Sequence, residues 1–192
     1  GVEISLGPAR AELEKSLSEY ELVLDWTTFA EYFRRLERDR ASVNVLSTVA
    51  SGQVRAAVIG YDNRPATAEE LARMEELVDQ AMRDGAVGLS SGLIYAPNRY
   101  ASTEELVALA RRAARVGGFY LTHIRDEGDG LVDVGLAEAV RIGREARLPV
   151  EVLHFKRSGV RSAGGEKPTL REAAAFIEKA RKEGVTIHAD VY

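Results

Sequence analysis

The residues of this chain best suited to chemistry are its three histidines. Cysteine is absent, so any metal site must be built from His, Asp or Glu. Each histidine belongs to a short apolar, β-branched run of the kind that forms a strand. His123 closes Phe119–His123, His154 closes Val150–His154, and His188 lies in Val185–Asp190. Imidazoles converging from neighbouring strands are donors for zinc, which in catalytic sites takes three protein ligands and keeps one position open. Side chains alternate along a strand with period two. His123 and Arg125 therefore share a face with Phe119 and Leu121, His154 and Lys156 with Val150 and Val152, and His188 with Asp190 and Tyr192. If those faces turn toward one interior, His123 and His154 meet at its mouth. Plainer roles compete with this one. A strand-end histidine is often a hydrogen-bonded, partly buried residue. Asp126 and Glu127 also suit a helix start, Lys156 a solvated loop, and Tyr95 core packing.

The elements that must position these residues follow one grammar, strand then helix. Val43–Val49 reads as the first strand. Thr67 with Glu70 forms a capping box for a helix to about Asp84, which Gly85 ends. A strand at Ala86–Ser90 follows, then a helix opened by Ser102 and Glu105 and stopped at Gly117-Gly118. After Phe119–His123 comes a helix over about Leu131–Arg147. After Val150–His154 comes a helix capped by Thr169 and Glu172, and Val185–Asp190 is the fifth strand. A helix over Thr28–Arg38 precedes this series, and residues 1–24 form a leading segment hard to place.

Such alternation predicts an α/β fold with a parallel sheet and right-handed crossovers. An open doubly wound sheet is one form, but no Gly-rich phosphate turn follows any strand. The expected form is a partial (β/α)8 barrel, because five strands cannot close one. Both forms collect functional residues at the C-terminal strand ends. Here those ends run Ser90-Ser91 to Pro97, Thr122 to Gly128, His154 to Lys156, and His188 to Tyr192.

Composition narrows the class. A net charge of -4 without a long basic run argues against nucleic acid as the main partner. No apolar stretch approaches the ~18 residues of a membrane span, and no leader peptide is visible, so a cytoplasmic protein is expected. The chain starts at Gly1 without Met and stops directly after a strand-like run, so both ends read as cut.

Several ordered motifs resemble those of the D-aminoacylases, the N-acyl-D-amino-acid deacylases of the amidohydrolase superfamily. They are Gly88–Pro97 (GLSSGLIYAP), Thr122–Gly128 (THIRDEG), the His154-x-Lys156 pair, Ala189–Tyr192 (ADVY), and the stretches Arg55–Gly60 and Arg64–Met74. The resemblance runs from about Asp25 onward. It implies that residues 43–192 span barrel strands three to seven, and that the whole of 1–192 belongs to a partial barrel domain. It implies a zinc cofactor with His123 and His154 among its ligands. It places Tyr95, Lys156 and Tyr192 against the substrate, Lys156 pairing with its carboxylate, with Arg125 and Ser91 as further site residues. The implied reaction is hydrolysis of an N-acyl-D-amino acid to a D-amino acid and a carboxylate.

The same resemblance puts a His-x-His pair, a cysteine ligand and the catalytic aspartate outside this chain. None of the catalytic residues is then present, the partner is the remainder of the parent barrel, and the chain alone is expected to be inactive and prone to aggregate. Relatives carry a Gly-His-Gly turn where this chain has Ala50-Ser51-Gly52, and mostly a small or hydroxyl residue at His188. Two other readings stand: a zinc amidohydrolase acting on a cyclic amide or dipeptide, and a barrel relative without catalysis.

Overall fold

The structure, a computed structural model, describes residues 5–158 and 168–191. Five strands form one sheet in chain order: β1 (Val49–Ala50), β2 (Gly88–Gly92), β3 (Phe119–His123), β4 (Val150–Val152) and β5 (Ile187–Ala189). Every neighbouring pair is parallel. A doubly wound sheet reverses its strand order at a switch point, where ligands bind. Here the order never reverses, so right-handed crossovers carry every connection to one face. That is a run of (β/α) barrel units. The helices are α1 (Pro8–Ser18), α2 (Phe29–Asp39), α3 (Ser51–Val58), α4 (Ala68–Arg83), α5 (Thr103–Ala114), α6 (Ala137–Ala146) and α7 (Leu170–Lys182). α4 packs on α5, and α5 on α6.

Register decides which side chains meet those helices. Tyr120, Val150 and Ile187 are mutual partners, as are Ser91, Thr122 and Val152; all are buried. Beneath them lie Leu106, Leu109, Val140 and Ile177. The opposite row, Leu121, Glu151 and His188, is partly or fully exposed. This second row is the face a closed barrel turns inward. Burial there holds the Glu151 carboxyl above its ordinary range, with Asp190 adding to the shift and His188 opposing it.

Several expectations need correction. The run Val43–Val49 is a strand only at its end, with Val43 and Leu46 exposed. β1 is the sheet edge among the described residues, so the earlier residues have no second strand to pair with. Their apolar side chains then gain nothing from extension. Helix α3 carries a buried arginine, Arg55, inside its apolar stripe, which hid it from periodicity. The leading segment contains α1, which packs on α3. The third helix series opens as a π-helical turn over Leu131–Leu136. Thr67–Glu70 and Thr169–Glu172 are full capping boxes. Ser102–Glu105 is half of one: Ser102 accepts from the Glu105 amide, but the Glu105 carboxylate pairs with Arg55 instead.

The facing on β4 is also corrected. Val150 and Val152 point to the helices, not to the row that holds Leu121. His123 belongs to the Leu121 row by alternation, so His154 has the wrong parity to meet it along a regular strand.

Gly88 shows how closely β2 and β3 approach. A Cβ there would stand 2.4 Å from the Phe119 carbonyl oxygen, a backbone atom that cannot step aside. Gly88→Ala is expected to cost roughly 1–3 kcal/mol, the usual penalty of overpacking. A denaturation midpoint equal to that of the parent protein would show that the strands can part freely.

Candidate metal centre

Three side chains meet at the C-terminal ends of β3 and β4. His123 ends β3. His154 lies just past β4, where the backbone takes the left-handed conformation at φ 40°. That turn explains how a residue of the wrong parity reaches the site: the strand stops at Val152, and the chain swings back toward β3. The turn is pinned by Leu153 N–H donating to Thr122 O (2.9 Å), by Phe155 N–H donating to Asp190 O (2.7 Å), and by the His154 amide donating to the Asp190 carboxylate. The two imidazoles then lie edge to face with centroids 4.3 Å apart, and the exposed Tyr95 ring sits 5.5 Å from His123.

Glu127 is the third member. Its Oε1 lies 3.4 Å from His123 Nε2, 3.2 Å from His154 Nδ1 and 2.9 Å from Lys156 Nζ. The loop that carries it is held at several points. Asp126 accepts from Gly128 N–H, and Glu127 O accepts from Ser158 N–H. Arg125 grips Glu138 of α6 with two bonds of 2.8 and 3.0 Å, and donates to the carbonyls of Arg99 and Ala101.

His123 Nε2 is buried and has no hydrogen-bond partner among the described residues. A buried polar atom left unpaired costs about 1–3 kcal/mol, so such an atom in a native fold calls for an explanation. Burial lowers the His123 pKa from its ordinary value; the Glu127 carboxylate opposes the shift, while His154 and Lys156 add to it. Burial thus favours the neutral ring, the form that binds metals. Ligand atoms of His123, Glu127 and His154 all lie within 4.8 Å of one another. A buried imidazole nitrogen without a hydrogen-bond partner, near a second imidazole and a carboxylate, fits a divalent cation.

The other sequence-derived residues fall in different places. Lys156 Nζ contacts Glu127 Oε1 and His154 Nδ1, both at 2.9 Å. Arg125 is committed to Glu138 and two carbonyls. The Ser91 hydroxyl lies in the buried row, 2.5 Å from the Tyr120 hydroxyl and 2.9 Å from that of Thr122. His188 is in the middle of β5, beside Glu151. Tyr192 lies outside the described residues. Ser51, where relatives are expected to carry histidine, is buried and bonds Ser90 O and Asn98 Oδ1. Glu127 is the residue sequence reasoning did not single out, leaving a helix-start charge open as one role for it and Asp126. Its one signal was its position four residues after His123, and a loop gives that spacing no fixed meaning.

A one-way parallel sheet with helices on one side and imidazoles at its C-terminal ends defines a segment of an amidohydrolase-type (β/α) barrel. No family model matches the chain. It is 42% identical over 142 residues to a D-aminoacylase of Alcaligenes xylosoxydans xylosoxydans, covering 74% of this chain and 29% of that protein. An N-acyl-D-glutamate deacylase from the same organism is 35% identical over 163 residues, covering 85% and 32%. The crystal structure of an N-acyl-D-glutamate deacylase from Bordetella bronchiseptica, complexed with zinc and a phosphonate inhibitor, superimposes with a TM-score of 0.78 at 31% identity. That match covers 98% of this chain and 37% of the other. The chain is thus a homologue of the D-aminoacylases and N-acyl-D-amino-acid deacylases of the amidohydrolase family, and it spans about a third of their length. Among the described residues, no helix is long and apolar enough to cross a membrane.

Proposed function

We propose that this chain is part of a zinc-dependent hydrolase that converts N-acyl-D-amino acids to D-amino acids and carboxylates. The observation that carries the reading is His123 Nε2, buried and unpaired beside Glu127 and His154 at the strand ends. The homology to deacylases supplies the substrate class. His123 and His154 hold the metal, which supplies a Lewis acid for the acyl carbonyl and a nucleophilic water near neutral pH. Tyr95, exposed beside His123, walls the substrate site. Lys156 and Tyr192 take the substrate carboxylate. The carboxylate that moves protons, and further metal ligands, come from outside these 192 residues, so the chain by itself is inactive.

Two measurements on the intact protein test this. Matched N-acetyl-D- and N-acetyl-L-amino acids are offered with zinc added and with zinc chelated. Zinc-dependent cleavage of the D series alone is expected; cleavage that survives complete metal removal defeats the proposal. Second, Lys156→Met is expected to lower kcat/KM by roughly 100-fold, because a charge-assisted contact to the substrate carboxylate is lost. An unchanged kcat/KM would remove Lys156 from the carboxylate site.

A further inference from the structure

We propose that Arg125 is a positioning residue: its guanidinium fixes the loop that carries Tyr95 beside His123, and so sets substrate affinity through Tyr95. The proposal rests on the reading of Tyr95 as a wall of the substrate site and adds the residue that holds that wall in place.

Tyr95 needs such support. Its ring is 60% exposed, so little packing holds it, yet the ring centroid lies 5.5 Å from that of His123. It belongs to the segment between β2 and α5. A loop side chain that must meet a ligand is placed by bonds to a rigid frame.

Two side chains hold this segment. The buried Asn98 amide reaches back to its start, where Oδ1 accepts from the Gly92 N–H (2.9 Å) and the Ser51 hydroxyl (3.0 Å). Arg125 holds its end, donating from Nη1 to Arg99 O (2.8 Å) and from Nη2 to Ala101 O (2.9 Å). The Arg99 N–H in turn donates to Tyr95 O (2.8 Å), so Arg125 acts on a residue one hydrogen bond from Tyr95.

The guanidinium is itself anchored on the helices. Its Nε and Nη2 form a fork on the Glu138 carboxylate of α6, at 2.8 and 3.0 Å. That carboxylate is 8% exposed and also accepts from the Thr103 hydroxyl of α5 (2.8 Å). An Arg–carboxylate fork fixes orientation as well as distance. One planar group thus ties the Tyr95 segment to two helices and to the strand end that carries His123. Lysine carries its donors on a single nitrogen and cannot span an acid and two carbonyls set apart in this way.

A double-mutant cycle on the intact, zinc-loaded protein tests this, read as KM and kcat for an N-acetyl-D-amino acid and as zinc affinity. Arg125→Lys is expected to raise KM by at least about 10-fold while kcat and zinc affinity change by less than about 3-fold. Tyr95→Ala should raise KM as well. Arg125→Lys added to Tyr95→Ala should raise it by less than about 2-fold more, because residues that act through one contact are not additive. Glu138→Gln, which weakens the fork from its other side, should show the same coupling to Tyr95 and replaces Arg125→Lys in the cycle if that variant does not fold. An unchanged KM in the fork variant, effects that multiply in the double variant, or zinc affinity lowered beyond about 10-fold, the range of an outer-shell metal partner, overturns the proposal and leaves the deacylase reading intact. Tyr95→Ala without effect on KM overturns the role of Tyr95 and this proposal with it. A parent protein that cleaves no N-acyl-D-amino acid overturns the deacylase reading and the proposal together.

Discussion

His123→Ala in the intact protein is expected to abolish stabilisation by zinc while leaving the metal-free fold at least as stable as before. In the parent protein a cation that binds only the folded state adds RT ln(1 + [L]/Kd), about 4 kcal/mol at a thousandfold excess over Kd. On the proposed metal site His123 Nε2 is a donor to the cation and has no hydrogen-bond partner among the described residues, so its loss would remove a ligand. Without zinc the sign reverses, because removing a buried unpaired nitrogen relieves a cost of about 1–3 kcal/mol. Some of that gain is offset by the cavity left behind. Activity should fall by at least about a thousandfold, since metal polarisation and water activation go together. Thermal melts with and without zinc read both signs. A zinc-induced rise in Tm equal to the parent's would sink the assignment of His123.

Arg55→Met is expected to be the most damaging substitution away from the metal. The Arg55 side chain is 0% exposed, and its Nη1 lies 2.6 Å from the Glu105 carboxylate, itself 6% exposed. Its other arm reaches the carbonyls of Asp62 and Arg64, tying α3 to the segment before α4. Methionine fills the volume but strands the Glu105 charge, and breaking a buried pair this way costs about 3–5 kcal/mol. The loss should depend on pH with a definite sign. Burial already raises the Glu105 pKa above 4.5, and Arg55 pulls it back. Without Arg55 the folded-state pKa rises further. A raised carboxyl contributes its stability below the unfolded value and loses it as pH rises through the folded one. The variant should therefore approach the parent near pH 4 and fall away from it above. Arg55→Met combined with Glu105→Leu should recover most of the loss, because neither charge is then left alone. Equal destabilisation at both ends of that pH range would show that packing, not charge, is what Arg55 contributes.

The strand–helix alternation and the capping residues were legible because they are local. Thr67 with Glu70 and Thr169 with Glu172 satisfy helix N-termini within four residues. Phe119–His123 is a strand along its whole length, since its β-branched and aromatic side chains pack on a central strand. The motifs at the strand ends were equally plain, because a parallel sheet puts all those ends on one side.

What tertiary structure decided lies wherever a residue's role depends on a partner far along the chain. Val43–Leu46 reads as strand but finds no second neighbour. Glu105 reads as a capping partner but bonds Arg55, fifty positions away in sequence. Arg125 reads as a site residue, and only the fold shows that its guanidinium bonds Glu138 and two backbone carbonyls. Period-two counting put His154 on the face of Val150 and Val152, whereas a single left-handed residue returns it to His123. Glu127 was one charge in the run Arg125-Asp126-Glu127, and the sequence by itself offers no way to choose among the three. The loop's hydrogen bonds choose, because they alone bring one oxygen to within 3.4 Å of both imidazoles.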